Sequence, residues 1–490
     1  MTPTTTDAFD RLAAAALDRL DEMKAVRGVL QRDGSTLGKL AVGRQLGWIN
    51  HMPGMRDRLE QLTVLARVTE RQGYDRVLVL GGDSVWPTVV GQHLQGRRGL
   101  KLRHAGDAVA LPASLAWAQQ GRPLFVVIGD ADWQATHALY LDYRAHFDRG
   151  ADFVGVGPYS SEVAALADAA GFREFFQEVS DLSGPMSATG LAGLVPAVLA
   201  GVVITDALAR VEESLEQSLE LIAARNPAAQ LAAFLAAAES SGRWQLHMRL
   251  SKDVSAFGAW ITQLLAASAG PVGSELVTLV GGEVTPAASD ARRLAQAVAI
   301  GLSTFDEPDA PGLEALEDAG VPSHSVVMPS PEDLWSEAVR WQMAVVLLAM
   351  LRADRQAGLA ATQAAAASTP EAIQVASIKA LAGGLQTALE AGAPGEVLAV
   401  LAFVPPSEAN VHRLGALQTR LQGRTAATVE VGFGPRDVSG MAPRDNVSRG
   451  SVVIVVASSD AADDAATHHA QRTAASLAAS GQHVITAVVG

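Results

Sequence analysis

Short runs of β-branched and other apolar residues alternate with longer alanine-rich or amphipathic segments along most of the chain. This alternation limits the possible folds most strongly, because parallel strands need long, usually helical, crossovers between them. Gly, Pro, Asp or Ser bounds each run, as is typical of strand ends. The sequence therefore predicts an α/β fold with mostly parallel sheets. Six buried strands, which two sheets could share, are predicted at residues 77–80, 124–128, 153–156, 276–280, 398–403 and 452–456.

The chain of 490 residues is longer than one hydrophobic core normally supports, at about 150 residues per domain. The predicted strands form two groups separated by a mainly helical stretch, so we expect two α/β domains. The predicted division is an N-terminal helical segment at 1–45, a first domain at 46–215, a second domain with a helical connection at 216–424, and a C-terminal segment at 425–490 that completes the site region.

Charge and cysteine content exclude several classes of function. The 38 Lys and Arg residues are scattered and outnumbered by 52 Asp and Glu, giving a net charge of −14, so neither nucleic acid nor a membrane is an expected partner. The absence of cysteine removes disulfides, thiolate catalysis and thiolate metal sites. We expect no cofactor and no metal. The first ten residues lack a signal-peptide pattern, which favours a cytoplasmic location.

The longest apolar stretch, at residues 190–204, contains Pro196 and several glycines. It is shorter than the ~18 residues that a membrane-spanning helix needs. We therefore expect a buried helix there.

Several short segments, in order and at the right spacing, resemble phosphoglucose isomerase (glucose-6-phosphate isomerase), in particular the bacterial type associated with transaldolase. No single segment is specific, but their order and spacing together are. The segments are Leu-Gly-Trp at 46–48, Gly-Gly-Asp-Ser at 81–84, Ala-Gly-Phe-Arg at 170–173, Gly-Leu-Val-Pro-Ala at 193–197, Ala-Phe-Gly-Ala-Trp at 256–260, Gln-Leu at 263–264, Arg-Trp at 340–341 and Gly-Phe-Gly-Pro-Arg at 432–436.

The resemblance implies two sugar-isomerase (SIS) domains, each a mostly parallel, doubly wound sheet flanked by helices, and usually a homodimer. The family's reaction belongs to glycolysis and gluconeogenesis and moves a proton between adjacent sugar carbons. That chemistry needs a base, a stabiliser for the developing oxyanion and a cradle for the substrate phosphate. In the family the cradle is a Ser-x-Ser-Gly-Thr-Thr loop at a helix N-terminus, where a phosphate is favoured.

The matching loop here reads Ile-Gly-Asp-Ala-Asp-Trp-Gln at 128–134, without the hydroxyls. Two aspartates, Asp130 and Asp132, stand where a dianion should bind, and like charges at such short range repel strongly. Either aspartate could instead cap the following helix. The candidate ligand-binding residues are Gly81, Gly82, Ser84, Asp130, Asp132, Gln134 and Ser187, although a turn alone also explains the glycine loop.

The family's catalytic positions are also altered. The Glu that acts as base corresponds to Ala267, and the Arg that stabilises the enediolate corresponds to Pro185. The Lys that assists ring opening corresponds to Asn446. Glu275 and Glu283 could each replace the base, but both are explained as ordinary surface or loop carboxylates.

Three hypotheses follow. The first is an isomerase-like protein with a dismantled active site, serving as a non-catalytic binding or partner subunit in sugar phosphate metabolism. The second is a working glucose-6-phosphate/fructose-6-phosphate or other sugar isomerase with a displaced base. The third is a sugar-sensing regulatory module. The expected partner is a second copy of the chain, or else an active homologue or pathway enzyme in a hetero-complex.

Overall fold

The chain divides into two compact units, which are described separately. The first contains Met1–Gly106, Ser114–Gly270 and Leu276–Ala360, and the second contains Asp107–Ala113, Pro271–Glu275 and Ala361–Gly490. The domain boundaries expected from the sequence stay predictions. The structure, a computed structural model, describes residues 5–37, 40, 42, 45–81, 84–105, 111–129, 133–268, 276–280, 291–357, 371–375, 397–404, 408–422, 428–433, 451–458, 470–471, 473–475, 477–478 and 483–489.

Five parallel strands form the first sheet, in the order β2-β1-β3-β4-β5. The central strands are continuous apolar runs because helices cover both faces of such a sheet, and every residue of β1, β3 and β4 is buried. The strands are Arg76–Gly81 (β1), Lys101–Ala105 (β2), Pro123–Ile128 (β3), Phe153–Gly157 (β4) and Glu174–Gln177 (β5).

Twelve helices of the described residues precede, connect or follow these strands. The run 191–199, within the stretch predicted to be a buried helix, is indeed helical and fully buried. The helices are Thr5–Glu22 (α1), Ala25–Leu30 (α2), Gly34–Leu37 (α3), Gly47–Asn50 (α4), Met52–Arg71 (α5), Trp86–Val89 (α6), Leu111–Ala118 (α7), Trp133–Arg144 (α8), Glu162–Ala170 (α9), Leu191–Leu199 (α10), Ile204–Ser218 (α11) and Pro227–Ser240 (α12).

The second sheet of the first unit has four parallel strands in the order β7-β6-β8-β9. Its strands are Gln245–Leu250 (β6), Val277–Val280 (β7), Ala297–Thr304 (β8) and Ser323–Met328 (β9). The accompanying helices are Phe257–Ser268 (α13), Ala291–Ala295 (α14), Leu313–Asp318 (α15) and Leu334–Ala357 (α16).

A cluster of three tryptophans packs together helices that follow strands of the first and second sheets. The ring centroid of Trp86, just after the first sheet's central strand, lies 5.4 Å from that of Trp260 and 5.0 Å from that of Trp335. All three side chains are fully buried. The edge-to-face arrangement adds to the burial energy and fixes the start of α6 against α13 and α16.

The span Pro331–Arg355 is, by length and composition, the one helix among the described residues that could cross a membrane. However, 89% of its most apolar window is buried inside the protein. A core helix gives the same signal, and α16 packs against α11, α12 and α13.

The second unit contains a third parallel sheet, in the order β10-β14-β13-β11-β12. Its described core includes Leu401, Phe403 and Val484. The strands are Glu371–Val375 (β10), Val397–Phe403 (β11), Thr428–Phe433 (β12), Ser451–Ser458 (β13) and His483–Val489 (β14), with the helix Glu408–Gln422 (α17) between β11 and β12.

The α/β fold with parallel sheets flanked by helices is confirmed, and each of the six predicted strands is present. The grouping of those six strands into two sheets was wrong. The strands at 398–403 and 452–456 belong to the third sheet, not to the sheet that contains 276–280. The strand pattern could not separate them, because parallel sheets have similar apolar runs whichever sheet they join.

Candidate functional site

The order of the first sheet determines where a ligand can bind. The chain passes from β1 to β2 on one side and then to β3 on the other, so the connections diverge between β1 and β3. Ligands of open α/β sheets bind in the crevice outside the carboxyl ends of strands at such a point. A cleft is present there, and its walls include Ser84 after β1, Gly129 after β3 and Pro158 after β4.

The buried carboxyl group of Glu178 lies in the wall of this cleft, directly after β5. The Val179 and Ala192 N–H groups donate to its two oxygens, each at 3.0 Å. Ala192 is in the first turn of α10, so the carboxyl group satisfies part of that helix N-terminus. The close fit requires glycine at position 190, where a Cβ would lie 2.5 Å from Glu178 Oε2.

The environment of Glu178 alters its protonation. Burial raises its pKa from 4.5 to about 7, against the opposing effect of the hydrogen bonds from the Ala192, Val179 and Leu191 backbone. The negative charge of Asp181 adds a smaller upward effect. Asp181 itself forms an ion pair with Arg32 at 2.7 Å. Glu178 is therefore a carboxyl group that can both hold and release a proton near neutral pH.

The other polar groups in the cleft are uncharged. Ser84 accepts a hydrogen bond from the Trp86 N–H at 3.2 Å, and the Ser187 hydroxyl donates to the Gly184 carbonyl at 2.7 Å. The indole N–H of Trp86, which also lines the cleft, has no hydrogen-bond partner among the described residues. Of the described lining residues, Glu178 is the only ionisable one.

The resemblance matches Pro185 and Ala267 to two of the family's catalytic positions, and both side chains are chemically inert. Pro185 is buried in a short 3₁₀ helix, Gly184–Ser187, and its carbonyl accepts the Trp260 indole N–H at 3.1 Å. Ala267 is half-buried near the end of α13. From the same helix, Gln263 Oε1 accepts the Val85 N–H at 2.8 Å. The scaffold between these segments is thus well packed, while neither altered position offers a proton or a charge.

The predicted ligand-binding residues are only partly brought together. Ser84 and Ser187 line the cleft, while Gln134 is exposed at the start of α8 and does not. Gly81 ends β1 with φ of 71°, and a Cβ there would lie 2.2 Å from Thr136 Oγ1, so its role is close packing. Gly82, Asp130, Asp132, Glu275, Glu283 and Asn446 lie outside the described residues.

Sequence reasoning missed Glu178. The available signal was weak: a carboxylate that follows two adjacent phenylalanines, Phe175 and Phe176, in a four-residue strand that the sequence analysis did not predict. Such a position is shared by many surface residues, and only the fold shows that this side chain is buried.

The second sheet has a corresponding divergence, between β6 and β8. There Asp253 accepts hydrogen bonds from the buried hydroxyls of Ser251, at 2.5 Å, and Thr304. His93 lies close by, with Nε2 accepting the Ala256 N–H at 2.9 Å. Burial lowers the pKa of His93, against the attraction of Asp253. The carboxylate of Asp253 is thus satisfied by two hydroxyls, and Nε2 of His93 by a backbone N–H.

No known family model matches the sequence, and no curated protein matches it significantly. Solved structures do match. A hypothetical protein from Thermus thermophilus is 19% identical, with a TM-score of 0.55 over 70% of this chain and 92% of that one. A glucose-6-phosphate isomerase from Chlamydia trachomatis is 13% identical, with a TM-score of 0.52 over 70% and 82%. These similarities show the fold, an α/β fold shared with that glucose-6-phosphate isomerase.

Proposed function

We propose that this chain is a sugar-isomerase-like protein that does not interconvert glucose 6-phosphate and fructose 6-phosphate, and that it acts as a non-catalytic binding or partner subunit in sugar phosphate metabolism. The observation that carries the proposal is the pair Ala267 and Pro185. They stand where the resemblance requires a base and a cationic stabiliser, within an intact and well-packed scaffold.

The described cleft supports the same conclusion on electrostatic grounds. A sugar phosphate needs cationic groups or a free array of N–H donors to offset its charge. None of the described lining residues is cationic, and the N–H groups of Val179 and Ala192 already donate to Glu178. A phosphate at this edge would meet a carboxyl group that is partly ionised near neutral pH.

A coupled assay of glucose 6-phosphate conversion tests the proposal. We expect no conversion above the blank, because loss of a base alone costs about 10²–10⁴ in rate and loss of an oxyanion stabiliser costs about 10²–10³ more. Turnover of about 1 s⁻¹, the low end for ordinary enzymes, would contradict the proposal.

One observation favours a second candidate, a working sugar isomerase with a displaced base. Glu178 is a buried carboxyl group in the cleft whose pKa is raised to about 7, as a general base near neutral pH requires. If the assay detects turnover, Glu178→Gln should abolish it. Persistence of the activity in that variant would direct attention to Glu275 and Glu283.

We also propose that the protein forms a homodimer, as the resemblance implies. Sedimentation of the purified chain at micromolar concentration should give the mass of two copies. A monodisperse monomer would contradict this. A requirement for co-expression with an active homologue or a pathway enzyme would indicate a hetero-complex.

A further inference from the structure

The cleft at the carboxyl edge of the first sheet combines three features that no packing role requires together. It has a cavity volume of about 20 Å³, which is enough for one water-sized group. A buried carboxyl group, Glu178, lies in its wall. The remaining polar lining includes the hydroxyls of Ser84 and Ser187 and the indole of Trp86, whose N–H has no partner among the described residues.

The hydrogen-bond capacity of Glu178 is not filled by the backbone. Its two carboxylate oxygens offer about four lone-pair sites. Among the described residues, the donors that face them are the backbone N–H groups of Val179, Leu191 and Ala192. A hydroxyl group in the cleft could donate to a remaining lone pair. Hydrogen bonds to an ionised acceptor are about twice as strong as neutral ones.

The charge of the cleft selects among ligand classes. A phosphate or carboxylate would be repelled by Glu178 and would find no cation among the described lining residues. An ammonium group would have to lose its hydration on entering a cavity of this size, which costs more than an ion pair usually returns. A hydroxyl carries no charge to desolvate and can donate and accept at once.

We propose that this cleft binds the hydroxyl-bearing end of an uncharged sugar or polyol, with Glu178 accepting the hydrogen of that hydroxyl and the serine hydroxyls flanking it. The inference rests on the proposed function, because it names the ligand class of the same site. The rest of the ligand lies at the open mouth of the cleft, since the cavity holds only one small group.

Binding of this kind is linked to protonation. With the pKa of Glu178 near 7, about half of the molecules carry the proton at pH 7, and a donating hydroxyl favours the ionised half. Among the described residues, the other charged groups near Glu178 are Asp181, which adds a smaller upward effect on its pKa, and Arg32, the ion-pair partner of Asp181. Affinity should therefore rise by up to about tenfold between pH 6 and pH 8, with release of up to about half a proton per ligand at pH 7.

Isothermal titration with D-glucose, D-fructose and glycerol, each against the full chain, tests the inference. At least one should bind with a millimolar dissociation constant, and glucose 6-phosphate should bind more weakly. Titrations in two buffers of different ionisation enthalpy would measure the proton release. No binding of any of the three at about 100 mM, or about 100 times a millimolar constant, would overturn the inference.

Glu178→Gln should lower the affinity at least about tenfold, because it replaces an ionised acceptor by a neutral one, and it should abolish the pH dependence. The matched control is Glu162→Gln, which removes an exposed carboxylate from the first turn of α9 and should change neither. Unchanged affinity in Glu178→Gln would place the ligand elsewhere and overturn the inference.

Should Glu178→Gln fail to fold, Ala192→Leu provides a second test, because this side chain lines the cleft and would fill it while keeping the carboxyl group. It should abolish binding, and retained binding would contradict the inference. Different results would refute the proposed function and the inference about the ligand. Isomerase turnover would refute the proposed function, whereas absent sugar binding would refute only the inference about the ligand.

Discussion

The first and second sheets share the same central strand order, β2-β1-β3 and β7-β6-β8, but the carboxylates at their carboxyl ends have different surroundings. In the second sheet, Asp253 accepts the buried hydroxyls of Ser251 and Thr304. In the first, the described residues that donate to Glu178 do so through backbone N–H groups, and Glu178 borders a cleft. The same topology thus supports a closed polar network in one place and a candidate ligand site in the other.

The difference shows that the strand order determines where a cleft can form, but not whether that cleft stays open. Divergence of the connections creates space outside two strand ends. Whether that space stays open depends on the loop side chains. Side-chain hydroxyls can rotate to satisfy a carboxylate. The backbone N–H groups that donate to Glu178 are instead fixed by the main chain at Val179 and at the first turn of α10.

The largest expected effect is at the closed site. Asp253→Ala removes the acceptor of two fully buried hydroxyls, at Ser251 and Thr304. Each unsatisfied group costs about 1–3 kcal/mol, so the free energy of unfolding should fall by about 4 kcal/mol. Urea unfolding measures it. The control is Asp306→Ala, which removes an exposed aspartate that follows β8, the strand that ends at Thr304. Its free energy of unfolding should fall by less than about 0.5 kcal/mol. Equal losses would show that the network is not satisfied as described.

The next effect is the pH dependence of the open site. Because folding raises the pKa of Glu178 from 4.5 to about 7, its protonated form stabilises the folded chain fully below pH 4.5, and this stabilisation is lost as pH rises through 7. The loss should be about 3 kcal/mol.

Urea unfolding at pH 5 and pH 8 would measure this loss. The free energy of unfolding of the unmodified chain, relative to that of Glu178→Gln, should be lower at pH 8 than at pH 5. The exposed-site variant Glu162→Gln should differ from the unmodified chain by the same amount at both pH values. A constant difference for Glu178→Gln would mean that the carboxyl group is solvated, and the contrast between the two sites would disappear.

The smallest expected effect concerns Ser187 and distinguishes its contribution to stability from its contribution to sugar binding. Ser187→Ala removes a hydroxyl that donates to the carbonyl three residues before it, at Gly184, and should cost about 1 kcal/mol. Ser241→Ala removes the same local bond, to Ala238, far from the cleft in sequence and outside its lining. Both should lower stability similarly, but only Ser187→Ala should weaken sugar binding. Equal sugar affinity in the two variants would remove Ser187 from the site.

The sequence predicted six strands from continuous apolar runs, such as β3 and β11, but it did not predict β8, although every residue of that strand is buried. It missed β2, where exposed and buried residues alternate, and β6, which contains the buried polar residues His247 and Arg249. The side chains of His247 and Arg249 are buried together, with Arg249 Nη2 3.3 Å from His247 Nδ1, although their polarity is typical of exposed positions. Their burial therefore cannot be inferred from local composition.

The residues of the candidate site also differ in whether the sequence could identify them. Ser84 and Ser187 could be identified from the sequence, because they lie within segments that resemble a known family. Glu178 could not, because its importance comes from burial and from its contact with the start of α10, fourteen residues later.

By itself, the sequence determined the α/β class, the parallel strands and the inert residues Ala267 and Pro185, because apolar periodicity and residue chemistry are local properties. Only the tertiary structure decided that there are three sheets and that Glu178 lies buried beside a cleft. Only the fold, too, revealed that Asp253 is already satisfied by two hydroxyls. Strand pairing, burial and pKa depend on which distant residues meet, and the free energy of those contacts is set by the folded chain as a whole.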